Sequence, residues 1–437
     1  MKRMEKLLLL SFLLWANVPA SNTLDLQQAQ AMMFFNNLEM NIARQEYCQK
    51  DYELTEAKSA WYPSLDLFGS LGYQNKKNTI FLPIQSSLFP SGPLTMGVKY
   101  RSDMGVELTY PITSAIVNIF KVKYRQNALL EKSALDMALR NRLSFKLGAL
   151  YFLWDLSYSQ MNVKKMLVTH FEAMVAHLKN MQAGGMSATS KVLENMAGLE
   201  NARAQLVTEE NRVDSLKLEI LNFIQSEDSA VVPEEYQFNF DSLLAEIDTL
   251  SLNLYRPELS AIDVNIDQLN AYYDVLVGQK YPNLFLSAAY HYGKPELQMS
   301  NDPDYMGYAA AALQVRFNLY NGNKISSQQR QTQQQIEIAR KRKLQAINEF
   351  DNSIRSAKAQ YFRAKRQKDA AHLALEASRA VVNDVKNSLD AGVVTLLDYQ
   401  NAVIAEATAE LSVKQADCMQ KMALLKIYYA VGKEIKY

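Results

Sequence analysis

Four histidines, two cysteines and a run of methionines are the residues of this 437-residue chain that could take a metal. His170 and His177 stand seven apart, two turns along one helix face, the spacing of a ligand pair. No third ligand lies near them in sequence, and a protein zinc site takes three or four. Met161, Met166, Met174, Met181, Met186 and Met196 crowd one stretch, and thioethers suit copper(I). Methionine more commonly fills irregular packing, so neither group is assigned a metal. Two cysteines, Cys48 and Cys418, cannot build a disulfide framework or a thiolate zinc site; on helical rods of about seventy residues they lie about 44 Å apart along the axis, so both are expected as free thiols. No Ser-His-Asp set, carboxylate pair or phosphate loop appears at a useful spacing, so no enzyme and no cofactor is expected.

Composition points the same way. Net charge is +1, which leaves no basic surplus for nucleic-acid phosphates. Glycine (15) and proline (11) are scarce, so long uninterrupted helices are expected rather than a many-turned β fold. Apolar residues make 48% of the chain, enough for a core and too many for disorder. Residues 1–20 read as a secretory signal. Lys2, Arg3 and Lys6 are followed by an apolar run, Leu7 to Trp15, and Val18-Pro19-Ala20 offers small residues for cleavage before Ser21. No later segment supplies about 18 consecutive apolar residues, so no membrane-spanning helix is expected.

The chain repeats itself. Tyr62-Pro63-Ser64-Leu65 matches Tyr281-Pro282-Asn283-Leu284 at an offset of 282 − 63 = 219. Ala183-Gly184-Gly185 matches Asp390-Ala391-Gly392 at 392 − 185 = 207. The same 207 aligns Tyr110-Pro111-Ile112 with Phe317-Asn318-Leu319, so the first copy carries a longer connection before residue 106. The repeats cover about 24–225 and 254–432, joined by a linker at 226–253 around Pro233-Glu234-Glu235.

Each copy reads in one order. A polar helical stretch (roughly 24–60, then 254–280) ends at the Tyr-Pro, where proline cannot continue a helix. Strand pairs follow. Leu65, Leu67, Leu71 and Tyr73 alternate with Ser64, Asp66 and Ser70; Val106, Leu108, Tyr110 and Ile112 alternate with Gly105, Glu107 and Thr109. In the second copy, Leu284, Leu286, Ala288, Tyr290 and Tyr292 alternate with Asn283, Ser287 and His291. Leu313, Val315, Phe317 and Leu319 alternate with Gln314, Arg316 and Asn318. Four strands with one apolar and one polar face result. Helices of about seventy residues come next (about 115–184 and 322–391), then a glycine turn at Gly184-Gly185 or Gly392, then a returning helix of about forty. Arg330, Arg340, Lys341, Arg342 and Lys343 read as a solvated helix face.

Four strands cannot close a barrel with every edge satisfied. Two chains give eight strands and a filled interior, whereas three give twelve and room for a channel. Strands of this length suit a membrane-spanning barrel. Their apolar residues would meet lipid, while Asp66, Glu107, Gln314 and Arg316 would line a wet lumen. Trp61, Tyr62, Tyr73, Tyr110, Tyr281, Tyr290, Tyr292 and Phe317 are expected as girdles near the strand ends. The competing interpretation is a half-buried soluble sheet. The connections 74–104 and 293–310 are expected on the far side from the helices.

In these features the chain resembles the TolC family of outer-membrane efflux proteins. The carrying residues are the tandem halves, the two Tyr-Pro strand openings, Arg256-Pro257-Glu258-Leu259, Phe317-Asn318-Leu319-Tyr320-Asn321-Gly322, and Ala391-Gly392-Val393-Val394-Thr395-Leu396-Leu397-Asp398. The resemblance implies a mainly α fold with a small β part, whose long antiparallel helical hairpins form an α-barrel. It implies a homotrimer in which four strands per chain complete a twelve-stranded barrel in outer-membrane lipid, above a large periplasmic tunnel. It implies passive export of small molecules, metals or proteins from an inner-membrane pump, joined through a periplasmic adaptor protein, in tripartite efflux or type I secretion. The other function considered is a periplasmic adaptor or structural coiled coil; an adaptor has one hairpin, and this sequence has two. Relatives narrow the tunnel at its tip, some with aspartate rings. Asp398 falls on such a position, Asn401 stands one turn on where a second acid is common, and Lys191 is the first-copy counterpart of Asp398 (398 − 207 = 191). Thr395 and Asp398 also have capping-box spacing, so gate and cap both stand open.

Overall fold

The computed structural model describes residues 23–81, 93–96, 99–227, 231–234, 236, 256–294, 304–435 and 437. The expected signal segment at 1–20 and most of the linker lie outside them. The chain divides into two compact units, residues 1–46, 134–260 and 344–437 in one, and 47–133 and 261–343 in the other.

The repeat is visible in the element boundaries. Strand β1 (Thr23–Leu24) and helix α1 (Leu26–Asn36) precede α2 (Leu38–Ser59). Then come β2 (Ser64–Tyr73), β3 (Asn78–Phe81), β4 (Pro93–Met96), β5 (Tyr100–Pro111), α3 (Ile112–Ala183), α4 (Thr189–Ile224) and β6 (Val232–Pro233). The second copy has α5 (Pro257–Gly278), β7 (Asn283–Lys294), β8 (Met306–Arg316), α6 (Lys324–Asp390) and α7 (Leu396–Val431). Helices α2 and α5 both have 22 residues, and their starts differ by 257 − 38 = 219. Helices α4 and α7 both have 36, offset by 396 − 189 = 207. The long helices run 72 and 67 residues. Neither contains proline, and only Gly148 interrupts the first, so nothing removes an i→i−4 hydrogen bond along them.

In the helical unit, α3 presents Leu143, Leu147, Tyr151 and Trp154 on one stripe. They pack against Leu26 and Met33 of α1, Ile220 and Ile224 of α4, and Leu425 of α7. The Tyr151 hydroxyl lies 2.7 Å from both the Leu24 and Glu234 carbonyl oxygens and accepts from the Glu234 N–H at 2.9 Å. It thereby pins the parallel β1–β6 pair, whose second strand lies within the segment expected as a linker. Farther along, Val168, Phe171 and Val175 of α3 meet Leu199 and Ala202 of α4. In the second hairpin Ile354, Ala357 and Tyr361 of α6 meet Leu424 and Ile427 of α7. Spacings of three, four and seven keep these seams on one side of each helix.

Each repeat ties its beginning to its end by the same device. Asn37 breaks the first polar stretch into α1 and α2; its Oδ1 accepts from Glu39 N–H at 2.9 Å and its Nδ2 donates to the Phe223 carbonyl at 2.9 Å. Arg256, at the matching place (256 − 37 = 219), donates Nε to the Ala430 carbonyl at 2.8 Å and Nη2 to that of Tyr429 at 3.0 Å. Phe223 and Ala430 are themselves 207 apart. Arg256 also lies over the Phe350 ring at 3.7 Å. Burial lowers its pKa, yet the guanidinium answers the Ala430 carbonyl at the helix end and shares the Tyr429 carbonyl with the Gly432 N–H.

In the other unit the order β2-β5-β7-β8 is antiparallel throughout. Strands β2 and β8 are its edges. Two boundaries differ from the sequence expectation. Strand β8 starts at Met306 and stops at Arg316, leaving Phe317 and Leu319 outside it. The run Ala309–Ala312 offers no polar contrast from which alternation could be seen, and a turn with positive φ at Gly322 and Asn323 precedes α6. Strand β5 starts at Tyr100, and β3 pairs with β4 inside the segment expected as a plain connection. Among the described residues no helix is long and apolar enough to cross a membrane.

Candidate functional site: a two-faced sheet and a pair of helix turns

Register assigns every strand residue to a face. Leu65, Leu67 and Leu71 of β2 share one side with Met104, Val106 and Leu108 of β5, Tyr290 and Leu286 of β7, and Leu313 and Val315 of β8. This apolar side is bare: Leu67 is 85% and Leu71 90% exposed. A soluble half-buried sheet would cover it, and among the described residues no helix of its unit does. Tyr73 and Tyr100 close one end with rings 5.1 Å apart, and Tyr292 stacks on Tyr305 at 5.9 Å. Tyr290 departs from the expected girdle; it sits mid-strand in the row of Leu67 and Val106.

The opposite face holds all four expected polar residues. Asp66 stands directly across from Glu107, while Gln314 and Arg316 stand across from Phe285 and Asn283. Like charges facing each other across strands cost stability. The same face carries a cluster that the alternation did not single out. Phe68, Gly105, His291 and Tyr308 form one row across all four strands. The His291 ring stacks on Tyr308 at 4.7 Å and meets the edge of Phe68 at 5.0 Å. Its Nδ1 lies 2.9 Å from Asp103 Oδ2. Phe68, an aromatic in phase with Asp66 and Ser70, was the available signal.

The helix turns are a matched pair with one difference. After α3, Met186 N–H donates to the Met181 carbonyl at 2.8 Å, and Gly185 takes φ +73°. After α6, Val393 N–H donates to the Ser388 carbonyl at 2.9 Å, and Gly392 takes φ +72°. Both are Schellman turns, with the left-handed residue a glycine. Gly184 follows the last helical residue and has no positive φ. The returning helices start differently. Thr395 caps α7, and Asp398 completes a capping box. At the first turn Ala188 takes the cap position with no side-chain hydrogen bond, and Lys191 stands where Asp398 does. Hydrogen bonds from Thr395 hold the Asp398 carboxyl below its usual range. Lys191, Asp398 and Asn401 are all exposed.

Behind the turns Met174, Leu178 and Val192 pack against Leu396 and Tyr399. His170 sets its ring edge-on to Tyr399 at 5.7 Å, and burial lowers its pKa. His177 is exposed. Among the described residues no group of three or more His, Cys, Asp or Glu is placed to hold a metal. Of the basic stretch, Arg340 pairs with Glu337 at 2.6 Å and Lys343 with Asp263 at 2.5 Å.

Residues 251–433 match the family described as outer membrane efflux protein. Among solved structures, the Campylobacter jejuni CmeC outer membrane channel superposes with a TM-score of 0.73 at 15% identity, covering 94% of this chain and 86% of that one. The Vibrio cholerae outer membrane protein VceC gives 0.71 at 14%, covering 93% and 96%. The Neisseria gonorrhoeae MtrE outer membrane channel, in its open state, gives 0.71 at 15%, covering 94% and 89%. No curated protein sequence matches significantly.

Proposed function

We propose that this chain, whose residues 251–433 match the outer membrane efflux protein family, is the outer-membrane exit duct of an efflux or secretion system. The observation that carries the proposal is the sheet. It has two edges, an apolar face open along its whole width, and an acidic and polar face opposite. Unpaired edges and bare leucines are unfavourable in water. Both are removed if three chains pair β2 of one with β8 of the next into a twelve-stranded barrel, leucines toward lipid and Asp66, Glu107, Gln314 and Arg316 toward the lumen. The helices then lie on the periplasmic side, with Gly185 and Gly392 at the tunnel tip and Asp398, Asn401 and Lys191 beside its mouth.

The channel has no energy source of its own. An inner-membrane pump drives cargo, and a periplasmic adaptor protein joins the pump to the helical tips. The long two-hairpin design and the likeness to the CmeC and MtrE channels support this assignment.

Two measurements test it. Mass in detergent should give three chains, and a stable monomer or a water-soluble species would sink the proposal. In cells making a chain with Cys48 and Cys418 replaced by alanine, a cysteine placed at Asn78 should react with an impermeant thiol reagent, and one at Gly185 should not. The reverse pattern would invert the topology.

A further inference from the structure

The row Phe68–Gly105–His291–Tyr308 is more than a layer of the polar face. Phe68 and His291 lie on strands separated by β5, yet their rings meet. Gly105, between them, is what permits it: a Cβ there would come within 2.8 Å of Phe68 Cζ and 2.2 Å of the Tyr290 carbonyl oxygen. Tyr308 stacks with its plane only 3° from that of His291. Three rings from three strands thus form one aromatic shelf, His291 and Tyr308 face to face and Phe68 edge-on to His291, and Asp103 holds the middle ring.

The rows on either side carry charge of one sign. One is Asp66–Glu107–Ala289–Ala310, and the other is Ser70–Asp103–Gly293–Met306. Three carboxylates adjoin the shelf. The nearest arginine on this face, Arg101, is one row farther, where its Nη2 donates to Gln74 at 2.9 Å. The alanines leave space. A hollow of about 230 Å³ lies against the shelf, lined by Phe68, His291, Glu107, Ser287, Ala289 and Ala310. A cavity of about 150 Å³ already admits benzene.

We propose that this hollow is a binding site for planar aromatic cations in transit. The aromatic part of the ligand packs against Phe68 and His291, the two rings that line the hollow, and its positive charge faces Glu107, with Asp66 beside it in the same row. Aliphatic cations find the carboxylates but no stacking partner, and neutral aromatics find the shelf but no charge gain. The inference rests on the exit-duct assignment, which turns this face toward the lumen and gives the assembly three such sites at one level.

The test is current block in planar bilayers containing the purified trimer, with ethidium as the planar aromatic cation and tetraethylammonium as the aliphatic one. Ethidium block should last about fivefold longer in the parent channel than in Phe68→Ala. Glu107→Gln should shorten it similarly, while tetraethylammonium block should be unchanged by Phe68→Ala. If Phe68→Ala does not assemble, Phe68→Leu keeps the bulk without the ring and should shorten ethidium block in the same direction. Unchanged ethidium block in the variants overturns the site, as does a parallel change for tetraethylammonium, which would report pore width alone. A parent protein that forms no channel overturns the exit-duct assignment and this site with it.

Discussion

Thr395 and Asp398 hold each other at the start of α7. The carboxylate accepts from the Thr395 N–H at 2.8 Å and from its hydroxyl at 2.6 Å, and the hydroxyl oxygen accepts from the Asp398 N–H at 3.3 Å. The cap is therefore formed, and the gate remains the proposed second role of Asp398. Because the carboxyl pKa is lowered in the fold, this contribution is complete above the ordinary value of 3.8 and is lost as pH falls through the folded value. Thr395→Ala should cost about 1 kcal/mol. Asp398→Ala should raise hydrogen exchange in the first turn of α7 at pH 7, with little difference from the parent at pH 2. A change in cation selectivity in Asp398→Ala but not in Thr395→Ala would support the gate; equal selectivity in all three proteins would remove it.

The adjacent glycines Gly184 and Gly185 differ in backbone conformation, and Gly392 matches Gly185. Gly185→Ala and Gly392→Ala force an alanine into φ above +70° and should each cost about 1–2 kcal/mol. Gly184→Ala has no such penalty; its nearest contact is the flexible end of Met186 at 3.2 Å, and it should stay within about 0.5 kcal/mol of the parent. Thermal melts of the three variants check the ranking. Equal losses at Gly184 and Gly185 would contradict the turn geometry.

Helix boundaries were legible because glycine and proline punctuate this chain so rarely. The offsets 219 and 207 reappear in the ends of α2 and α5 and of α4 and α7. Strands were less legible. Ala309–Ala312 carries no contrast between faces, so β8 could not be traced back to Met306. The shelf was invisible for another reason: Phe68, His291 and Tyr308 are brought into one row by the pairing of β5 with β7, whose partners Gly105 and His291 stand 291 − 105 = 186 residues apart, which alternation within a strand cannot report. The family resemblance pointed to Asp398 and repeat arithmetic to its counterpart Lys191, but a matching spacing does not by itself tell that the Thr395–Asp398 cap is formed.

A charge network in the α3–α6–α7 core should respond to single substitutions. Lys421, 5% exposed, pairs with Asp417 at 3.0 Å and reaches Asp155 at 3.7 Å, and Lys368 also pairs with Asp417. Burial raises the Asp417 pKa, but the hydrogen bonds and charges of Lys368 and Lys421 outweigh it and the carboxyl ends below 3.8. Its contribution is thus present above that pH and lost as pH falls through the folded value. Asp417→Asn leaves Lys421 buried without its nearest counter-charge and should cost about 2 kcal/mol in denaturant unfolding at pH 7. Asp417→Asn with Lys421→Met should lose less than the sum of the two single variants. Strict additivity would mean that the pair is not coupled.

Cys48 and Cys418 should behave as two unlike free thiols. Both are unpaired in the structure, the first exposed and the second buried. Cys418 donates its S–H toward the Phe152 carbonyl at 3.4 Å, and burial, then the charge of Asp155, pushes its pKa up to about 11. The thiolate is the reactive form, so at pH 8 only about one Cys418 in a thousand is nucleophilic, before any steric shielding is counted. Native protein in detergent should therefore take up one equivalent of a thiol reagent per chain at pH 8, at Cys48, with the second appearing only after denaturation. Between pH 8 and pH 10 any residual Cys418 reaction should speed up about tenfold per unit, because its thiolate fraction does. Denatured, unreduced protein should titrate as two thiols. A count of zero would mean that the two are joined as a disulfide, and equal native rates for both would mean that the face of α7 bearing Cys418 is open to solvent rather than packed on Phe152.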